Sequence, residues 1–382
     1  MKVRPVALRR FAIVFLAAVY LPAAVAATTA ASLALGSSAA ASPIGALDYI
    51  KGTVSLVRQG EAVPSPSPGD PLYDGDLLTT DASSSVSIAM DPSSGFGGTI
   101  VINPGTTFYL KRAIVEDQPK TRLDLMTGSL SAKVSKIAGT PTLGVLTGQS
   151  IFGVRGTEFE VALSLNASLL AICEEGQVAV STDGSESPLP AGQTIQQTSG
   201  ASFTPVSFDP TSIRDLRGRW LDDEGAAFRN APIKALSVFE GIYTEHAGAI
   251  LRETRALALD PVFRKWVEEK QNGVMPDPLD PTVLREKKEI APELISLAKH
   301  FAVFERVWWR LRDMVEVVRS GEFSRMEIRK GLSVQDFVRT FDRESHDLER
   351  AIFAYRQALA LYGERSPDSE DLIMMLATGG MD

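Results

Sequence analysis

The chain has 382 residues, 44 % of them apolar and 23 % charged, with a formal net charge of −8. At roughly 100–200 residues per domain this length holds two or three domains with sizeable cores, and the composition excludes a disordered or collagen-like chain. The acidic balance argues against a nucleic-acid binder working by phosphate neutralisation, and the single cysteine, Cys173, excludes a disulfide framework and a cysteine-based zinc site.

Residues 1–42 carry four basic residues, Lys2, Arg4, Arg9 and Arg10, and no acidic one. This basic start leads into an apolar run from Phe11 to about Leu21, and Ala24-Val25-Ala26 supplies the small–x–small pattern of a signal-peptidase site. The pattern predicts an exported protein, periplasmic or secreted. Its signal peptide spans 1–26, with a second cleavage candidate at 41, and an Ala/Ser-rich linker follows over 27–44. The competing reading is an uncleaved anchor, the one route by which the chain would engage a membrane. Pro22, Thr28, Thr29 and Ser32 dilute the apolar stretch and weigh against it.

The remainder divides into two halves. Residues 43–204 hold 25 charged residues and residues 205–382 hold 57, and all four tryptophans lie in the second stretch. The shift in composition predicts a β domain over 45–201, a joint over 202–210, a helical domain over 211–378 and a tail over 379–382.

Short β-rich runs bounded by Gly, Pro, Asp or Ser fill the first half: 52–58, 84–90, 98–102, 106–110, 122–126, 129–134, 157–161, 169–173 and 177–181. Within 157–161, Phe159 and Val161 point one way while Glu158 and Glu160 point the other. No helix-length periodicity interrupts these runs, so the reading is an all-β module: a sandwich, a barrel or a solenoid of short strands. In the second half Ile290, Leu294, Leu297, Phe301, Phe304, Trp308, Leu311, Val315 and Val318 form a heptad seam. A second seam runs from Val334 to Tyr362, where Ser333 with Asp336 makes a capping-box-like start, and a third runs from Leu236 to Leu257. These predict an all-α antiparallel bundle built around a coiled-coil hairpin roughly 45–55 Å long.

Four segments of the first half, taken together, resemble the FecR domain of bacterial envelope proteins. They are Pro68-Gly69-Asp70 through Asp74-Gly75-Asp76 to Thr80, then Leu123–Ala132, then Val154-Arg155-Gly156-Thr157-Glu158-Phe159-Glu160-Val161, and finally Glu175-Gly176-Gln177 to Val180. The resemblance covers about 47–198 and none of the helical half. It implies a twisted, β-solenoid-like periplasmic element that receives a signal from an outer-membrane TonB-dependent transporter. In members with the full layout, a cytoplasmic N-terminal segment then regulates a sigma factor. Only about ten residues precede the apolar segment here, too few for such a regulatory domain, so the resemblance supports an exported binding or scaffold module. Its motif residues are Gly69, Asp70, Asp74, Gly75, Asp76, Arg155, Gly156, Thr157, Glu158, Phe159 and Gly176. Turn chemistry accounts for the Gly–Asp pairs, because glycine supplies positive φ and aspartate caps its own turn.

Chemistry finds few candidates. Asp74 with Asp76, and Glu158 with Glu160, are the tempting carboxylate pairs, read as the solvated face of a turn or strand rather than an acid/base site. Ser93–Gly98 lacks the lysine of a phosphate loop and reads as a turn. Cys173 reads as a buried structural thiol and His246 as a packed seam residue. Neither a metal site nor a cofactor is expected. Trp309 lies one step off the seam, beside Arg310 and Arg312, and is the candidate contact for a protein partner; the competing reading buries it with Trp308. The expected function is therefore non-enzymatic: an envelope binding, signal-reception or scaffold module acting through protein–protein contacts, with an envelope protein as partner and a homodimer through the helical hairpin as an option. The alternatives are a peptidoglycan- or polysaccharide-associated protein with weak hydrolase activity, and a membrane-anchored FecR-type signalling component.

Overall fold

The computed structural model describes residues 42–58, 60–115, 118–135, 143–148, 150–154, 156–182, 185–198, 205–207, 213–319 and 321–366. The expected signal peptide and the C-terminal tail lie outside these residues.

The β region runs through β1 (Gly45–Lys51), β2 (Val54–Arg58), β3 (Glu61–Ala62), β4 (Pro71–Leu72), β5 (Leu77–Thr80), β6 (Ser85–Met90), β7 (Gly98–Ile102), β8 (Thr107–Val115), β9 (Gln118–Val134), β10 (Leu143–Thr147), β11 (Ser150–Val154), β12 (Glu158–Leu163), β13 (Leu169–Glu175), β14 (Gln177–Thr182), β15 (Ser185–Pro190), β16 (Gln193–Gln197) and β17 (Val206–Ser207). All seventeen join one mixed sheet. The sheet is not closed. Its pairings fall into two ladders. One has the order β4-β1-β6-β7-β9-β12-β13-β16-β17, and the other β3-β2-β5-β8-β9-β10-β11-β14-β15. Every pairing is antiparallel except β9 with β10. Because side chains alternate along each strand, the two ladders turn one apolar face toward each other. Ile88, Ile100, Leu130 and Val161 of the first share a core with Leu56, Phe108, Leu123 and Val180 of the second.

β9 belongs to both ladders. Residues up to Thr127 pair with β8, and residues from Gly128 onward pair with β7 and β12. Two strands were expected here, 122–126 and 129–134; they are one, bent at Gly128. The bend needs glycine. Gly128 has φ +87°, and a Cβ there would lie 2.5 Å from the Thr106 Cα and 2.6 Å from the Gly105 carbonyl oxygen. Gly128→Ala is therefore expected to lower stability by at least about 2 kcal/mol through combined strain and clash. Gly144→Ala, where an added Cβ meets nothing within 4 Å, should stay within about 0.5 kcal/mol. Urea midpoints of the two variants check the contrast.

Among the described residues five α-helices follow: α1 (Ile213–Asn230), α2 (Pro232–Leu259), α3 (Pro261–Gln271), α4 (Pro281–Val318) and α5 (Val334–Gly363). Local sequence explains their starts. Asp260 accepts from the Phe263 amide at 2.9 Å, Asp280 from that of Thr282 at 2.6 Å, and Ser333 from that of Asp336 at 3.2 Å. Proline occupies the first turn of α2, α3 and α4, where its missing N–H costs nothing. The three expected seams lie on α2, α4 and α5. Phe301 stacks on Tyr355 at 4.5 Å and Trp308 on Phe341 at 4.9 Å, so α4 and α5 run antiparallel. Tyr243 of α2 meets Phe304 at 6.0 Å and Phe337 at 5.6 Å, closing a three-helix core. Two helices, α1 and α3, went unforeseen, as did a small hairpin of β18 (Glu327–Arg329) and β19 (Leu332–Ser333) between α4 and α5.

The described residues of 41–382 pack as one compact unit. Leu77, Tyr109 and Met126, on the outer face of the second ladder, belong to the same core as the helices. On the opposite side Ala162, Leu170 and Ile172, from the outer face of the first ladder, bury against Trp220 of α1. The helical region thus covers part of each outer face. Among the described residues, no helix is long and apolar enough to cross a membrane.

Candidate functional site

The first motif cluster is built around Asp76. Its side chain is fully buried and accepts two hydrogen bonds from Arg58, 2.9 Å from Nε and 2.8 Å from Nη2, and a third at 2.9 Å from the Tyr73 amide. The Arg58 guanidinium also lies 4.5 Å above the Tyr73 ring. Asp70 accepts from the Ser67 amide at 2.8 Å, and the exposed Asp74 accepts from the Arg112 amide at 2.8 Å. Gly69 and Gly75 take positive φ in the turns between them. The expected solvated pair thus splits. Asp74 faces water, whereas Asp76 is held in a bidentate ion pair that fixes β2 to the turn before β5.

The second cluster joins the third and fourth motif segments. Gly176 sits against Gly156 and Thr157, so closely that a Cβ on it would lie 2.8 Å from the Gly156 carbonyl oxygen. Thr157 is buried, and Phe159 points into the core as its alternation required. Arg155 lies outside the described residues. Glu158 pairs with Lys133 at 2.8 Å near the surface. Glu160 departs from the expected solvated face: it is 3 % exposed and ion-paired to Arg217 of α1. α1 covers the outward face of β12 at Glu160 and Ala162 through Arg217 and Trp220.

Trp309 is likewise not an exposed contact. It is 1 % exposed and shares the helix–ladder core with Tyr109, Leu77 and Met126, while Arg312 stacks over its ring at 4.7 Å. The surface it contacts is the chain's own β region, because the second ladder presents its outer face directly to α4. His246 and His300 do meet, with Nδ1 atoms 3.0 Å apart, and Glu253 lies 3.6 Å from His300 Nε2. Among the described residues no group of three or more histidine, cysteine, aspartate or glutamate side chains is placed to hold a metal ion. Burial pushes the Cys173 thiol up to about 11, away from nucleophilic reactivity at neutral pH.

A dense charged cluster at the helix–ladder junction was not foreseen. On the outer face of β8 and β9, Asp124 is 4 % exposed and receives Arg122 Nε at 2.6 Å and Lys111 Nζ at 3.3 Å. Directly above, Arg356 of α5 forms a two-pronged pair with Glu305 of α4, 2.7 Å on each arm, and its guanidinium lies 3.3 Å from the Tyr109 ring centroid. Arg306 donates to the Gly148 carbonyl oxygen at 2.6 Å, and Arg312 to Thr107 Oγ1 at 3.3 Å. This seam clamps the helices to the second ladder. Arg122 lay on an expected strand and Lys111 just past the end of another, but nothing local marked that face as covered.

Burial pushes the Asp124 carboxyl upward, but Lys111, Arg122 and Arg356 outweigh it and hold the group at about 2. Its folded value lies below the ordinary 3.8, so its contribution is present above that value and is lost as pH falls toward 2. The expected size is about 2 kcal/mol. Urea midpoints of the wild type and Asp124→Asn, measured from pH 5 down to 2, should converge as the wild type loses this contribution.

The fold and its motif residues thus define a two-ladder β module clasped by helices. Residues 76–179 of that module match the family model described as FecR protein, and the span runs from Asp76 into β14. Two crystal structures of a candidate anti-sigma factor from Parabacteroides distasonis are similar to this chain, at 18 % and 17 % identity and TM-scores of 0.32 and 0.31. Each match covers 36 % of this chain and 62 % of the other, so the chain spans under two thirds of those relatives' length. No curated protein matches the sequence.

Proposed function

We propose that this chain is an exported, non-enzymatic module of the cell envelope that binds a protein partner or receives a signal through it. The observation that carries this reading is the FecR match over 76–179, which spans strands of both ladders. The chain passes repeatedly from one ladder to the other as it advances, which supports the twisted, solenoid-like winding that the resemblance implies. The ion pairs at Asp76, Glu158 and Glu160 support a structural role for the candidate carboxylates.

Part of the first ladder's outer face carries exposed apolar side chains. Across β1, β6, β7 and β9 the neighbouring residues are Tyr49, Ser87, Val101 and Ser131. Tyr49 is 60 % exposed and Val101 38 %. An exposed tyrosine and valine beside small side chains suit a protein contact. The test places a photo-crosslinking residue at position 49 and, separately, at 101 in the full chain. A discrete adduct in the envelope fraction, abolished by Val101→Asp in the position-49 variant, is expected, together with a mature N-terminus at residue 27 or 42. Retention of Met1 in a cytoplasmic protein, or folded variants that yield no adduct, would overturn the reading.

A further inference from the structure

Among the described residues Arg310 and Arg365 are the buried arginines, and of these Arg365 is paired, as are the partly buried Arg356 and Arg217. Arg356 pairs with Glu305, Arg217 with Glu160, and Arg365 with Glu269 and the Leu361 carbonyl oxygen. Arg310 is 8 % exposed, its Nε is fully buried without an acceptor, and it makes no hydrogen bond or ion pair with any described residue. An uncompensated charge in such a place is destabilising unless something neutralises it. The charge acting on Arg310 is another cation, Arg306, one helical turn earlier on α4. Burial and Arg306 together pull Arg310 down only to about 10, which leaves it charged at neutral pH.

Both arginines face Gly148, just past the end of β10. Arg306 holds the Gly148 carbonyl oxygen, and a Cβ built on Gly148 would lie 3.9 Å from Arg310 Nη2. Arg306 is only half-buried, so the pair reaches solvent on that side.

We propose that Arg306 and Arg310, beside the Gly148 turn, form a binding site for a small oxyanion, the charge of a phosphate or carboxylate group. Two guanidinium forks on one helix face offer several N–H donors to such a group and match its geometry. The narrow exposure of Arg310 limits the ligand to a small group. Its occupant would neutralise the unpaired charge and bridge α4 to the second ladder, so occupancy and stability would be linked. The site lies on the helix–ladder junction and stands apart from the exposed apolar side chains of the first ladder.

Thermal unfolding of the full chain at constant ionic strength tests this, with sodium chloride replaced stepwise by sodium phosphate or by sodium acetate. A saturable rise in Tm of about 2–5 °C is expected with at least one of the two, and the one that saturates at lower concentration identifies the source of the oxyanion. Arg310→Met should abolish the rise while leaving the Tm in chloride unchanged or higher, because it removes the unpaired charge. Arg306→Gln serves as the second variant and should weaken the response at least tenfold in the half-saturating concentration. The proposal is overturned by the absence of a saturable rise with either anion, or by an equal rise in both variants.

Discussion

Trp309→Ala is expected to lower the stability of the folded chain by about 3–5 kcal/mol, the range for removing a large aromatic side chain from a packed interior. The ring is 1 % exposed and lies in the core shared by α4 and the outer face of the second ladder. Alanine would leave a cavity there and would strip the Arg312 guanidinium of the ring it covers at 4.7 Å. Neither the helical seam nor the inner β core can collapse into that space, because each is held by its own contacts: Phe301 on Tyr355 in one, the Leu123 and Phe108 cluster in the other. The loss should therefore appear as loosening between layers. Hydrogen exchange is expected to accelerate in β8, in the first half of β9 and in the middle of α4 before the inner core strands respond. Trp309→Phe should recover roughly half of the loss. A Trp309→Ala urea midpoint within about 1 kcal/mol of wild type would show that the ring is not buried in solution and would restore it as a surface contact.

Asp76→Ala is the second large effect, with an expected cost of about 3 kcal/mol. Removing one partner of a buried pair costs about 3–5 kcal/mol because it strands the other charge. Here the Arg58 side chain keeps 30 % exposure, which sets the value at the lower end. The variant also leaves the Tyr73 amide without its carboxylate acceptor. The pair ties β2 to the Asp74-Gly75 turn, so protease cleavage within 70–77 should rise along with the fall in stability. Arg58→Met combined with Asp76→Leu replaces both charges by apolar groups of similar reach. The double variant should recover at least about 1 kcal/mol relative to the sum of the single changes. Additive losses in denaturation experiments would show that the two side chains do not interact.

Much of the secondary structure was legible because it rests on periodicity and local chemistry. The Ser333 cap, the seams of α2, α4 and α5, and the inward face of Phe159 and Val161 are all where spacing placed them. Two helices were missed for opposite reasons. α1 carries Gly218 and Gly225 and a mostly charged surface, so its propensity is weak, and its apolar contacts, Trp220 on the first ladder and Phe228 in the helical core, are tertiary. α3 has only 11 residues, too short for a seam to declare itself. The turn glycines of the FecR-like motifs were legible as turns, since only glycine takes their positive φ without strain.

The sequence by itself determined that this protein has a β-rich first half with FecR-like motifs and a helical second half, because both follow from the residue period and from short turn segments. The tertiary structure decided which of its charges are buried. Glu160 meets Arg217 across 57 residues of chain, and Arg312 reaches Thr107 across 205. A strand's alternation assigns a side chain to one face or the other, but not what lies over that face. For the acidic chain first met as a sum of charges, that covering turned a solvated strand face into a buried ion pair, an apparent partner tryptophan into core, and Arg310 into the one buried cation, among the described arginines, without a counter-charge.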